Sequence, residues 1–243
     1  MSYTTIKHKD KTVELNYTNP SELRKWAQWQ LGKVYYPNTM TDEEFRVAFN
    51  QRIQFNWNRI NSVIDMPSFK KVVDVGSGVS MPDIISSALN PMAEYYLVDK
   101  SENTRVGNGK YYQEFHGHYN SWSVVEDCVT SSGLDLGKFN FLDPADAWPV
   151  DVDLVISTYS WCWHYPKEAY WHRVQSSLKI GGTLAIDVFN LPDRDTAAEI
   201  TEEFGSEPVF VKNNGALHLS AFKDQVVLKD GAPGGFYAWT RKK

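Results

Sequence analysis

A chain of 243 residues with 25 Lys+Arg against 30 Asp+Glu, 42% hydrophobic and 14% aromatic, has the size and balance of an ordinary globular domain with room for an appendage. At this length folding buries roughly three quarters of the unfolded surface, so a core needs neither a disulfide nor a structural metal. The net charge of −5, with basic residues scattered, lacks the footprint of a dedicated nucleic-acid binder.

The two cysteines, Cys128 and Cys162, form no C-x-x-C pair. Met1 to Lys11 has no apolar centre for a signal peptide, and no apolar run approaches the ~20 residues that span a bilayer. The expectation is a soluble protein of the reducing cytoplasm, with no metal site and neither nucleic acid nor membrane as partner.

In chain order, residues 1–68 open with a short polar segment. Two amphipathic helical patterns rich in Trp and Phe follow, Ser21–Leu31 and Asp42–Val63. This segment is expected to be an N-terminal helical lid or extension, and residues 69–243 the core. From Phe69 to Phe189 short β-branched runs alternate with longer mixed segments, as βαβ units do. The predicted strands are Lys71–Val75, Glu94–Val98, Lys138–Leu142, Val152–Ser157 and Thr183–Val188. The predicted helices are Met81–Leu89, Gly109–His118, Ser121–Ser132 and Pro166–Leu178, the last stopping at Gly181–Gly182. A helix at Thr196–Phe204 and alternating strands at Val209–Lys212, Leu217–Lys223 and Phe236–Lys242 complete the chain, with a turn signal at Asn213–Asn214–Gly215.

The segment Val72-Val73-Asp74-Val75-Gly76-Ser77-Gly78 runs a buried strand into a glycine turn and then a helix. Two glycines there let the backbone approach a ligand closely. Met81 stands where the dinucleotide fingerprint needs its third glycine, and Asp74 would repel a pyrophosphate but suits an ammonium group. The next strand ends in Asp99, a carboxylate able to accept both hydroxyls of a ribose or to cap the following helix.

Asp74-Val-Gly-Ser-Gly78, Asp99, Asp143, the strand Asp153 to Ser157, and Leu178-Lys-Ile-Gly-Gly182 together resemble the ordered motifs of class I S-adenosylmethionine-dependent methyltransferases of the small-molecule type, over roughly residues 70–190. The resemblance implies an α/β fold, a three-layer αβα sandwich with a seven-stranded, mostly parallel sheet whose last strand is antiparallel. It also implies S-adenosylmethionine as cofactor, held by Asp74, Gly76, Ser77, Gly78, Asp99, Lys100, Asp143, Ser157 and Tyr159. The adenine loop departs from the family pattern, because Asp143 is followed by Pro144, which has no N–H. Either Ala145 supplies the donor or Asp146 is the adenine-reading acid.

Methyl transfer is an in-line displacement that depends mainly on holding the reacting atoms collinear and dry. The stretch Ser157 to Pro166 has no Asn/Asp-Pro-Pro-aromatic tetrad and no Pro-Cys pair, the signatures of DNA-base methylation. His164 is the candidate general base, or else a structural hydrogen-bond partner. Tyr159, Trp161 and Trp163 either wall the acceptor pocket or are interior aromatics of a loop packed on the sheet. Asp187 and Asn190 alone make a poor Mg²⁺ site. Arg46, Arg52 and Arg59 could each hold a carboxylate. The expected activity is methylation of a small polar molecule, a sugar or similar metabolite, at oxygen more than nitrogen. Alternatives are a protein or RNA methyltransferase and a non-catalytic nucleoside-binding module.

Overall fold

The computed structural model describes residues 3–27, 40–100, 120–162, 165–188, 194–212 and 234–242. The predicted helix at Gly109–His118, the Asn213–Gly215 turn and the strand Leu217–Lys223 lie outside these residues, as do Trp163, His164 and Asn190.

Seven strands form one sheet: β3 (Lys71–Val75), β4 (Glu94–Val98), β5 (Phe139–Leu142), β6 (Val152–Ser157), β7 (Leu178–Val188), β8 (Val209–Lys212) and β9 (Gly235–Thr240). Their order is β5-β4-β3-β6-β7-β9-β8, parallel from β5 to β7, with β9 antiparallel to both β7 and β8. The order reverses between β3 and β6, and in open α/β sheets such a switch point opens a crevice at the carboxyl ends of the strands.

Strand residues alternate between two cores. Val72, Leu154 and Ile156 face the helices α3 (Met81–Leu89) and α4 (Trp122–Ser131), while Val73, Val75, Val155, Leu184 and Ile186 face α5 (Trp171–Ser177) and α6 (Thr196–Phe204). The three-layer αβα arrangement expected from the sequence is therefore present.

The N-terminal elements belong to the first of these cores. Their helices are α1 (Pro20–Ala27) and α2 (Asp42–Asn61), preceded by a hairpin of β1 (Thr4–His8) and β2 (Lys11–Leu15), where the sequence reading gave only a short polar segment and assigned no strands. The hairpin buries Ile6, Val13 and Leu15 and turns at Lys9, whose φ of 53° supplies the left-handed residue without a glycine. Phe45, Phe49, Ile53, Trp57 and Ile60 line the buried face of α2. A capping box fixes its start, Glu44 N–H donating to the Thr41 hydroxyl and Thr41 N–H to the Glu44 carboxylate.

The segment 166–188 also differs from expectation. A 3₁₀ turn at Lys167–Ala169 precedes α5, and the backbone is already extended at Leu178. Gly181 and Gly182 sit inside β7, where the pairing register with β6 shifts between Val152 and Leu154. Gly181 N–H donates to the Arg241 carbonyl and Arg241 N–H to that of Gly182, so this pair serves a bulge in a strand instead of ending a helix.

Candidate cofactor and acceptor site

The turn after β3 is closed by two hydrogen bonds from its backbone N–H groups toward the end of β4, one to a carbonyl and one to a carboxylate. Gly76 N–H donates to the Val98 carbonyl at 2.7 Å and Gly78 N–H to Asp99 Oδ2 at 2.8 Å. Both glycines have positive φ, 71° and 56°. At Gly76 a Cβ would lie 1.8 Å from Ser160 Oγ, so the turn also needs glycine to let the chain after β6 pass over it. Asp99 Oδ1 accepts from Lys100 N–H at 2.8 Å, and its carboxyl is pushed up to about 6 by burial, which those two hydrogen bonds oppose. Lys100 contributes its backbone here, and its side chain is exposed.

Beneath the turn lies a group that sequence reasoning missed. Asp83, in the first turn of α3, is fully buried and faces Asp74, itself 3% exposed. Asp74 Oδ1, both Asp83 oxygens and the buried hydroxyls of Ser77 and Ser80 have no hydrogen-bond partner of good geometry among the described residues. Burial holds the Asp74 carboxyl well above the usual carboxylate range, and the charges of Asp83 and Asp99 push it further; burial brings Asp83 to about 7. Two carboxyls in contact without a cation retain a proton between them. The sequence signal was an acid three residues after Ser80 at a helix start, which reads equally as a helix-dipole partner.

The loop after β5 is self-capped. Asp143 Oδ1 accepts from Ala145 N–H at 2.8 Å, and Asp146 Oδ2 accepts from Asp143 N–H at 2.8 Å. The Ala145 donor considered for adenine is thus engaged by Asp143. An aromatic group stands beside this loop: Trp148 stacks on Tyr170 with centroids 5.8 Å apart, and Tyr165 meets Tyr170 edge-on at 6.4 Å. Tyr170 is raised to about 12, first by burial, then by Tyr165 and Asp99, with Asp143 contributing. The same ring is thus acted on by both Asp99 and Asp143, the two acids that the resemblance implied for the nucleoside.

Beyond β6, the Ser157 hydroxyl donates to the Val75 carbonyl at 2.7 Å and accepts from Trp161 N–H at 2.9 Å. It pins the turn that carries Tyr159 and Ser160. Trp161 is fully buried, its indole N–H directed to the Lys167 carbonyl, and belongs to the interior. Tyr159, at φ 54°, sits on the other side of the turn, where its N–H donates to Asp187 Oδ2 at 3.0 Å. Asp187, at the end of β7, is fully buried and takes the guanidinium of Arg59 in a fork, and Arg59 also donates to Asn56. The Arg59 and Arg52 guanidiniums lie 4.3 and 5.2 Å from the centroid of the Tyr159 ring. No group of three or more His, Cys, Asp or Glu able to hold a metal occurs among the described residues. Two surface depressions of about 370 and 180 Å³ lie around His8 and Asp65 and share no residue with the glycine turn.

No family model and no curated protein matches the chain. Solved structures do. A domain designated StiE O-MT, residues 961–1257, superposes with a TM-score of 0.58 at 17% identity, over 86% of this chain and 80% of that one. Phosphoethanolamine N-methyltransferase 2 of Haemonchus contortus, solved with phosphomonomethylethanolamine and S-adenosylhomocysteine, gives 0.50 at 13% identity, over 77% of this chain and 53% of that one. The likeness is one of fold. The chain has the architecture of class I methyltransferases, a seven-stranded, mostly parallel sheet whose last strand in the chain, β9, is antiparallel, as the resemblance implied.

Proposed function

We propose that the chain is an S-adenosylmethionine-dependent methyltransferase acting on a small polar molecule, at oxygen more than nitrogen. The observation that carries this reading is the charge of the glycine turn. Asp74, Asp83 and Asp99 surround a turn that in nucleotide-binding folds would face phosphate, so the ligand it suits is cationic and bears a ribose. S-adenosylmethionine has both features. The unpartnered oxygens of Asp74 and Asp83 and the Ser77 hydroxyl fit its amino-acid end, and Asp99 retains lone pairs for the ribose hydroxyls. Asp143, with Tyr165 and Tyr170, is the proposed adenine side.

When bound, the cofactor supplies a methyl group on a positively charged sulfur. The protein's part is to hold the acceptor in line and exclude water. Residues 1–68 are the proposed lid, a role supported by Arg52 and Arg59 of α2 reaching the ends of β6 and β7. His164 is the proposed base, receiving a hydroxyl proton on a ring nitrogen. None of the described helices is long and apolar enough to cross a membrane, and the free thiols of Cys128 and Cys162 are both buried, which supports the proposed cytoplasmic setting.

Calorimetric titration with S-adenosylmethionine, S-adenosylhomocysteine and NAD tests the reading. Micromolar binding of the first two, lost in Asp99→Ala, is expected; a folded protein that binds neither would overturn it. Isotope-labelled cofactor offered with a metabolite extract should then label a small product, whereas label in RNA or protein alone would move the acceptor class.

A further inference from the structure

An adenine ring bound at the loop after β5 needs two kinds of partner, because its edges set an exocyclic amino donor beside ring nitrogens that accept. The loop supplies acceptors: Asp143 and Asp146 each use one carboxylate oxygen within the loop and leave the other without a partner among the described residues. It supplies no donor. Asp143 N–H is given to Asp146 Oδ2, Ala145 N–H to Asp143 Oδ1 and Asp146 N–H to the Asp143 carbonyl at 2.9 Å, while Pro144 has none. Arg173 takes the carbonyls of Ala145 and Asp146, so the turn is fastened from its other side as well.

The same arginine fixes what stands beside the loop. Arg173 lies one helical turn after Tyr170, and Trp148, two residues past Asp146, stacks on the Tyr170 ring at 5.8 Å with the planes 21° apart. Tyr170 is half-buried, and no hydrogen bond among the described residues engages its hydroxyl. Burial, then Tyr165 and Asp99, with Asp143 contributing, raises this phenol to about 12, so at neutral pH it stays protonated and able to donate. Trp148 also carries an indole N–H without a partner among the described residues, but that nitrogen is closed to solvent.

We propose that the Tyr170 hydroxyl is the donor that reads a ring nitrogen of adenine, in place of the backbone N–H groups that this loop has already engaged, while a loop carboxylate accepts from the amino group. This rests on the methyltransferase reading and makes Tyr170 a residue that determines specificity for the cofactor's base. A base without that ring acceptor leaves the phenol unpaired against the ligand and loses affinity.

The test titrates S-adenosylhomocysteine and its 1-deaza, 3-deaza and 7-deaza analogues calorimetrically into the whole chain. Each analogue replaces one ring nitrogen by C–H and keeps the amino group. The wild type is expected to bind one of them about fivefold or more weakly than the parent, which names the nitrogen read. Tyr170→Phe keeps the ring on Trp148 without the hydroxyl, so it should weaken the parent by the same factor and bind the parent and that analogue alike. Trp148→Phe, which removes the covered indole N–H, should keep the wild-type ratio. A wild type that binds all four compounds alike overturns the proposal with no substitution at all. So does a folded Tyr170→Phe protein that keeps the wild-type ratio, which would mean that another donor, such as Ala145 N–H, is released on binding. A folded wild type that binds no S-adenosylhomocysteine defeats the methyltransferase reading instead. Adenosine and its deaza analogues, titrated in the same way, then still read the base site, and failure of adenosine to bind would end this proposal too.

Discussion

Arg59 and Asp187 stand 128 positions apart and meet as a buried fork, Nη2 of one lying 2.8 Å from Oδ2 of the other. The pair fastens the N-terminal helix α2 to the end of β7 and, through Tyr159 N–H, to the turn after β6. Burial works against the charge on Arg59, but Asp187 and Tyr159 together outweigh it and leave the guanidinium above its ordinary pKa.

Removing one partner of such a pair leaves an uncompensated charge in a dry site, at a cost of about 3–5 kcal/mol. Asp187→Asn should lower the unfolding free energy by about that much in urea titration. The double variant Arg59→Met/Asp187→Asn should recover part of the loss, because no lone cation then remains buried. A double variant as unstable as the sum of both singles would show that the pair acts through packing alone.

The carboxyls under the glycine turn make stability depend on pH. Asp83 and Asp99 titrate at about 7 and 6 in the folded chain, above the ordinary value near 4, so the folded state holds more protons than the unfolded state between those limits. Stability is therefore fully present below pH ~4 as far as these groups are concerned, and is lost as pH rises through their folded values. The ligand-free protein should lose melting temperature from pH 5 to 8. Asp83→Asn should flatten that decline and stabilise the protein at pH 7.5 by on the order of 2–4 kcal/mol. A cationic ligand favours the ionised pair, so wild-type affinity for S-adenosylmethionine should rise over the same interval. A decline in stability that persists unchanged in Asp83→Asn would contradict this assignment.

The strands Lys71–Val75, Glu94–Val98 and Val152–Ser157 were legible from sequence because apolar residues fill both faces of a parallel sheet, leaving little else those runs can be. The hairpin Thr4–Leu15 was not legible. It buries a single face through Ile6, Val13 and Leu15 and turns without Gly or Asn, so neither periodicity nor turn chemistry marked it. The glycine pair at Gly181–Gly182 was read as a helix stop because the bulge it serves is created by a partner strand far along the chain. At the site, the glycines and Asp99 announced themselves locally. Asp83 and the Arg59–Asp187 fork did not, since what each does depends on a residue brought near by folding.

Gly76 separates two costs that a glycine substitution can carry. Its φ of 71° makes any side chain strained by about 1–2 kcal/mol, and a Cβ would also collide with Ser160. Gly133 has the same φ with nothing within 4 Å of a Cβ. Gly133→Ala should therefore cost about 1 kcal/mol, since the stiffer unfolded chain returns some of the strain. Gly76→Ala should cost about 2–5 kcal/mol, overpacking included, and should also abolish S-adenosylhomocysteine binding. Equal losses in chemical denaturation would mean that Ser160 yields freely and that the close approach does not shape the turn.

Ser157 stood among the residues implied to touch cofactor, yet its hydroxyl is engaged on both sides, donating to Val75 and accepting from Trp161. Truncation leaves two buried backbone groups without a partner, at about 1–3 kcal/mol. Ser157→Ala should show that loss in thermal and urea unfolding while S-adenosylhomocysteine affinity, measured well below the melting transition, changes less than threefold. If the residue instead met the cofactor directly, affinity would fall by tenfold or more with little change in stability. The pair of measurements separates a hydroxyl that shapes the turn bearing Tyr159 and Ser160 from one that touches the ligand.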